Sequence, residues 1–157
     1  MIEFASTPVT DPIADELLGE YFSSRELGMP EYRTFRPDPA AFVPPAGDFL
    51  VLRRDGAPIG CGGIRMLTPD RAEVKHLWVR EEARGGGFGR LLLEELERRA
   101  SVLGATDVVL DTNERLEAAQ GLYRATGYVD VDAYNDNPNA THWFRKVLPP
   151  VLQRSRD

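Results

Sequence analysis

The sequence predicts an α/β fold, with a central, mostly antiparallel twisted sheet of mixed pairing flanked by helices. Three observations predict it. Residues 48–79 hold three strand-like runs punctuated by the turns Asp55-Gly56 and Pro69-Asp70. Residues 85–89 are glycine-rich and open directly into a strongly amphipathic helix. Beyond that helix, short apolar runs alternate with a second helical pattern.

Residues 2–5 read as a first strand. Thr10 or Asp11 can cap a helix that has Pro12 in its first turn. Ile13, Leu17, Leu18, Tyr21 and Phe22 then recur at helical spacing. The proline-rich stretch 36–45 reads as a stiff connector inside one domain, because the residues before it are too few to fold alone. Residues 48–53, 58–67 and 73–79 are the three strands of the antiparallel run. In the helix after Gly89, Leu92, Leu93, Leu96, Ala100 and Leu103 share one face, and Gly104 suits the position just past its end. Residues 108–110 form a short buried strand, and residues 116–125 a second amphipathic helix ended by Gly127. Residues 128–131 and 142–147 close the sheet, joined by the polar loop 135–139. No repeat or linker divides the chain, so residues 1–157 are expected to form a single domain.

Composition narrows the function. Nineteen basic residues against 25 acidic give a net charge of −6, which disfavours nucleic acid as a partner and mildly favours a cationic small substrate. No apolar run approaches the ~20 residues of a membrane span, and the first residues lack the pattern of a secretory signal. A single cysteine, Cys61, excludes an internal disulfide framework and fits a cytoplasmic chain. His76 and His142 have no metal-ligand neighbours at useful spacing, so no metal site is expected.

The richest segment is the strand-to-helix junction Arg84-Gly85-Gly86-Gly87-Phe88-Gly89-Arg90. Glycines let the backbone approach a ligand closely, and the helix that follows presents unpaired N–H groups and the positive end of its dipole. Such a junction suits phosphate. It lacks the Gly-Lys-Ser/Thr ending of a P-loop, and its glycine spacing differs from a dinucleotide fingerprint.

This segment resembles the acetyl-CoA signature of the GNAT superfamily, Arg/Gln-x-x-Gly-x-Gly/Ala, and the resemblance in element order extends over residues 49–148. A second stretch, Ala118-Ala119-Gln120-Gly121-Leu122-Tyr123-Arg124-Ala125-Thr126-Gly127-Tyr128, is similar to the family's A-x-x-L-Y-x-x-x-G-F/Y helix and turn. The resemblance implies the acyl-CoA N-acyltransferase fold, acetyl-CoA as cosubstrate and an N-acetyltransferase acting by direct attack of an amine. It implies that the backbone from Gly85 to Arg90 holds the CoA pyrophosphate, with Arg84 at its entrance. It implies that Leu77, Trp78 and Val79 pair with the pantetheine arm as an added strand would. Ala119 and Tyr123 are placed beside the cofactor by the second stretch. Many members carry an asparagine seven residues before the tyrosine. Leu116 stands there in this chain, and Asn113 is the nearest asparagine, a cofactor contact from its strand end.

The chemistry needs a neutral amine and a protonated leaving thiol. Tyr123 is the expected proton donor to the thiolate. Glu73 is the expected base, on the strand leading to the cradle. Strand alternation would put Glu73, Lys75, Leu77 and Val79 on one face. His142 or a water chain are the alternative bases. Cys61 reads as a small strand residue rather than a nucleophile. An acyl-CoA-binding module without catalysis, and an O- or longer-chain acyltransferase, are the alternative functions. The acceptor is expected to be a small-molecule amine or a peptide, its walls residues 21–32, 37–45 and 135–139, with Arg25 and Arg33 hinting at a carboxylate. A homodimer is left open.

Overall fold

The computed structural model describes residues 1–150. The strands are β1 (Ile2–Ser6), β2 (Gly47–Arg54), β3 (Ala57–Thr68), β4 (Arg71–Val79), β5 (Asp107–Thr112), β6 (Val129–Val131) and β7 (His142–Val147). The helices are α1 (Pro12–Gly28), α2 (Phe88–Val102) and α3 (Glu117–Ala125), with 3-10 turns at Pro39–Phe42 and Glu81–Ala83. Among these residues one seven-stranded sheet runs in the order β1-β2-β3-β4-β5-β7-β6. The expected elements are all present, with ends moved by a residue or two. Neither 3-10 turn was expected, nor the insertion of β7 between β5 and β6.

Local chemistry explains the connections. Asp11 caps α1 by accepting the Ile13 N–H at 2.9 Å, with Pro12 in the first turn. Asp55 and Gly56 both take positive φ, 52° and 85°, the pairing a tight hairpin turn requires. Gly104, at φ 110°, ends α2.

Each face of the sheet is covered by helix. Leu17, Leu18 and Phe22 of α1 pack with Phe42, Phe49 and Val51 on one face. Leu92, Leu93 and Leu96 of α2 pack with Leu50, Ile64, Val74 and Phe144 on the other, where Tyr123 of α3 joins them. Each fully buried leucine contributes roughly 1.5–3 kcal/mol.

One irregularity positions the site. Gly63 pairs with Lys75, but Cys61 pairs with Trp78, so two steps on β3 answer three on β4. The extra residue makes a bulge, and His76 inside it takes φ 59°. Strand alternation is therefore reset. Ala72 and Val74 face α2, and so do Leu77 and Val79. His76 and Trp78 face α1, His76 against the rings of Tyr21, Phe22 and Phe42. This corrects the expectation that Glu73, Lys75, Leu77 and Val79 share one face. On its other edge β4 pairs in parallel with β5 only from Arg71–Asp107 to Glu73–Val109. Past that point the two strands part.

Candidate functional site

Two hollows lie along the end of β4, past the point where it parts from β5. One is the glycine cradle, about 260 Å³, bordered by Val79, Arg84, Gly85, Gly87, Gly89 and Leu122. The other is a cavity of about 510 Å³, bordered by Tyr21, Arg25, Lys75, Leu77, Asp111 and Tyr123 among others. Leu77 borders the cavity and Val79 the cradle, so the end of β4 runs from one to the other. Leu122 and Tyr123 do the same from α3.

The cradle fits an anion. Gly85 and Gly87 have φ of 88° and 78°, and a Cβ built on either would meet nothing within 4 Å. The backbone is therefore both contorted and open at these two positions. Gly87 caps α2 with no side chain to satisfy the first turn. The first helical bond here is made by the Leu91 N–H, to the Gly87 carbonyl at 3.1 Å. The N–H groups of Phe88, Gly89 and Arg90 precede it and are the free donors of a helix start. The Arg84 side chain lies over the Trp78 ring at 4.8 Å and donates to the Val79 carbonyl at 3.1 Å. Gly86 is turned from the hollow, toward the Phe88 ring.

Tyr123 borders the cavity and is otherwise buried against Tyr128 and Phe144. Its hydroxyl makes no hydrogen bond among the described residues. Burial, with the Tyr21 and Asp111 charges adding to it and Arg25 opposing, pushes this phenol above its ordinary value. It therefore keeps its proton at neutral pH.

Glu73 is fully buried and does not border the cavity. Four donors surround its carboxylate: Arg65 Nε at 2.8 Å, the Tyr134 hydroxyl, Asn135 Nδ2 at 3.5 Å and Lys75 Nζ at 3.6 Å. A base needs a free lone pair facing the substrate, and this carboxylate faces its own donors. His142 stacks on Phe144, sets Nδ1 2.9 Å from the Thr141 hydroxyl and is likewise outside the cavity wall. His76 borders the cavity, but burial and the nearby Lys75, Arg65, Arg25 and Arg36 charges push it down to about 3, so it is neutral.

Besides Asp38, the carboxylate that borders the cavity is Asp111, which the sequence reading did not single out. It lies on β5 where pairing with β4 has ended, and accepts from Asn135 at 2.7 Å and Lys75 at 3.4 Å. A lone acidic residue in a short strand carries no local signal of this role. Only the parting of the strands exposes it. Tyr134 was also missed, because a residue after β6 reaches Glu73 only through the folded loop.

Of the remaining expected contacts, Trp78 lies on the α1 face and donates to Glu20 at 3.2 Å. Ala119 packs against the core and borders neither hollow. Asn113 borders the cavity, but its side chain serves the chain itself, donating to the Asn139 carbonyl at 3.0 Å and accepting from Arg115 N–H at 3.0 Å. Cys61 is buried with its thiol pushed up by burial, as suits a strand residue and not a nucleophile.

A strap closes one side of the cavity. The Asn139 side chain accepts the Arg33 N–H at 2.9 Å and donates to the Arg33 carbonyl at 2.7 Å, tying residues 29–38 to the loop 135–139. Among the described residues no group of His, Cys, Asp and Glu side chains is arranged to hold a metal ion, and no helix is long and apolar enough to cross a membrane.

Known proteins resemble this chain in sequence and fold. Residues 11–128 match the model of the Acetyltransferase (GNAT) family. An IAA acetyltransferase from Azospirillum brasilense is 41% identical over 83 residues, covering 52% of this chain and 54% of that one. The chain spans 52–61% of the length of three curated relatives it matches. A GNAT-family acetyltransferase from Staphylococcus aureus Mu50 has a TM-score of 0.77 at 16% identity, covering 95% of this chain and 100% of that one. A GNAT-family acetyltransferase from Elizabethkingia anophelis, solved with acetyl-CoA bound, has a TM-score of 0.69 at 18% identity, covering 94% and 98%. These two likenesses show the fold.

Proposed function

The chain belongs to the GNAT acetyltransferase family, and on that premise we propose that it is an acetyl-CoA-dependent N-acetyltransferase. The observation that carries the reading is the parting of β4 and β5. Past it, the end of β4 runs from an anion cradle to a cavity bordered by a protonated phenol and a carboxylate.

Acetyl-CoA supplies an acetyl group activated as a thioester. The backbone of Gly85 and of residues 87–90 binds its diphosphate. The end of β4 binds the pantetheine arm, because pairing with β5 has stopped at Glu73 and leaves that edge free. A backbone N–H at the end of β4 polarises the thioester carbonyl. Asp111 accepts a proton from the acceptor ammonium and frees the amine lone pair. The C–N bond forms, the C–S bond breaks, and the Tyr123 hydroxyl protonates the departing thiolate. Tyr123 regains its proton from the nitrogen, so the net products are an N-acetyl amide, the free thiol and one proton. Glu73 is a positioning residue in this scheme: it holds Lys75 and Asn135, which both also reach Asp111.

The test is Tyr123→Phe, which keeps the ring and removes the hydroxyl. Turnover should fall by ~10²–10⁴-fold, measured as thiol release with a panel of amines. Acetyl-CoA affinity by calorimetry should change little, since one hydrogen bond contributes only ~0.5–1.5 kcal/mol. Unchanged turnover would remove Tyr123 from the chemistry.

A further inference from the structure

The cavity holds one cation that the protein leaves without a counter-charge. Four basic side chains border it: Arg25, Arg36, Arg65 and Lys75. Arg36 pairs with Asp15 at 3.2 Å, Arg65 with Glu73 at 2.8 Å, and Lys75 with Asp111 at 3.4 Å. Arg25 has no carboxylate partner among the described residues. Its guanidinium lies over the Tyr21 ring, 4.5 Å from the centroid, and is only half-exposed on the last turn of α1. A guanidinium carries five N–H donors in a planar fork, and a ring face satisfies none of them. Asp38, at the cavity rim, is exposed and caps the turn at Pro39 by accepting the Ala40 N–H at 3.1 Å.

A second polar atom in the same wall is also unsatisfied. His76 Nδ1 is buried and has no hydrogen-bond partner among the described residues. The His76 ring borders the cavity and packs edge-on against Tyr21, the ring that Arg25 covers.

Arg25 and Asp111 border the same cavity. Both act electrostatically on the phenols of Tyr32 and Tyr123, Arg25 holding their proton affinity down and Asp111 raising it. A cation and an anion thus face the cavity that both phenols border. A ligand that complements them carries an ammonium and a carboxylate. The strap between Arg33 and Asn139 closes the cavity against a long chain threading through on that side.

Building on the N-acetyltransferase reading, we propose that the acceptor is a free α-amino acid, its carboxylate held by Arg25 and its amine presented beside Asp111. The reaction balances as before. The α-amine forms the C–N bond, the C–S bond of the thioester breaks, and the carboxylate is unchanged.

The experiment uses the full chain, acetyl-CoA and the common α-amino acids, each beside its decarboxylated amine and its methyl ester. Thiol release is followed, with the N-acetyl product confirmed by mass. At least one amino acid should be acetylated with kcat/KM about 10–100-fold above its two matched analogues, the range for a hydrogen-bonded charge. Arg25→Ala should abolish that preference by raising KM for the amino acid, and Arg25→Lys should restore part of it. A parent enzyme that prefers amines without a carboxylate would overturn the proposal and leave the N-acetyltransferase reading standing. So would an Arg25→Ala variant that keeps the full preference. Absence of thiol release with every amine would overturn both.

Discussion

Two ion pairs join β4 to β5, set four residues apart on each strand. Arg71 meets Asp107 in a two-pronged contact at 2.8 and 3.1 Å, where the strands are hydrogen-bonded, and Arg145 from β7 adds a third contact at 2.6 Å. Lys75 meets Asp111 at 3.4 Å, where the strands have parted. The chemistry is alike and the roles differ. The first pair clasps three strands and holds the closed end of the split. The second stands in the opening, with its carboxylate bordering the cavity. The difference teaches that a charge pair across adjacent strands is structural where the ladder is intact and open to substrate where it is interrupted.

The comparison breaks most sharply at Asp111. Asp111→Asn keeps the shape and the hydrogen bond from Asn135 but cannot take a proton. Turnover should fall by ~10²–10⁴-fold with little change in Tm. A Tm loss without a rate loss would make the two pairs equivalent.

A smaller effect comes from Gly87→Val, which attacks the open end and touches neither pair. The φ of 78° is left-handed, and a β-branched residue there costs roughly 1–3 kcal/mol or moves the loop. A Cβ would meet nothing inside the protein, so the new side chain points at the space a diphosphate would occupy. Acetyl-CoA affinity should fall about tenfold or more, with circular dichroism unchanged. Retained affinity in a folded variant would take the cradle out of cofactor binding.

The smallest effect is expected at the closed end. Asp107→Asn should cost about 1–3 kcal/mol of stability and leave turnover intact. Burial raises the Asp107 carboxyl, but hydrogen bonds and charge from Arg71 and Arg145 outweigh it and hold it below its ordinary value. A depressed carboxyl stabilises the fold above its unfolded pKa, and that contribution is lost as pH falls through the folded value. The gap between parent and variant should therefore be full at pH 7 and narrow below about pH 4. Urea unfolding at both pH values measures it. A constant gap would assign the effect to packing.

Legibility followed distance along the chain. The cradle is six consecutive residues whose requirements are local: left-handed backbone at Gly85 and Gly87, then a helix start at Phe88. Composition and order displayed it before any fold was known. The hairpin turn at Asp55-Gly56, the Asp11 cap and the apolar stripe of α2 were readable for the same reason. Tyr123 was singled out through a motif, and it borders the cavity.

Alternation along β4 failed as a guide, because a single bulge at His76 inverts the side of every residue after it. Glu73 looked like a base because it stood in the right strand, yet what a carboxylate can do depends on what surrounds it. Here Arg65, Lys75, Tyr134 and Asn135 come from three separate segments to occupy it.

Elements, their order, their caps and the glycine cradle are properties of short windows, set by backbone sterics and hydrophobic period, and they could be read from the chain alone. The partners of Glu73, the exposure of Asp111 and the unpaired charge of Arg25 were decided by folding. Each depends on which of several like charges reach one another across the sheet, and that is settled by packing between residues tens of positions apart.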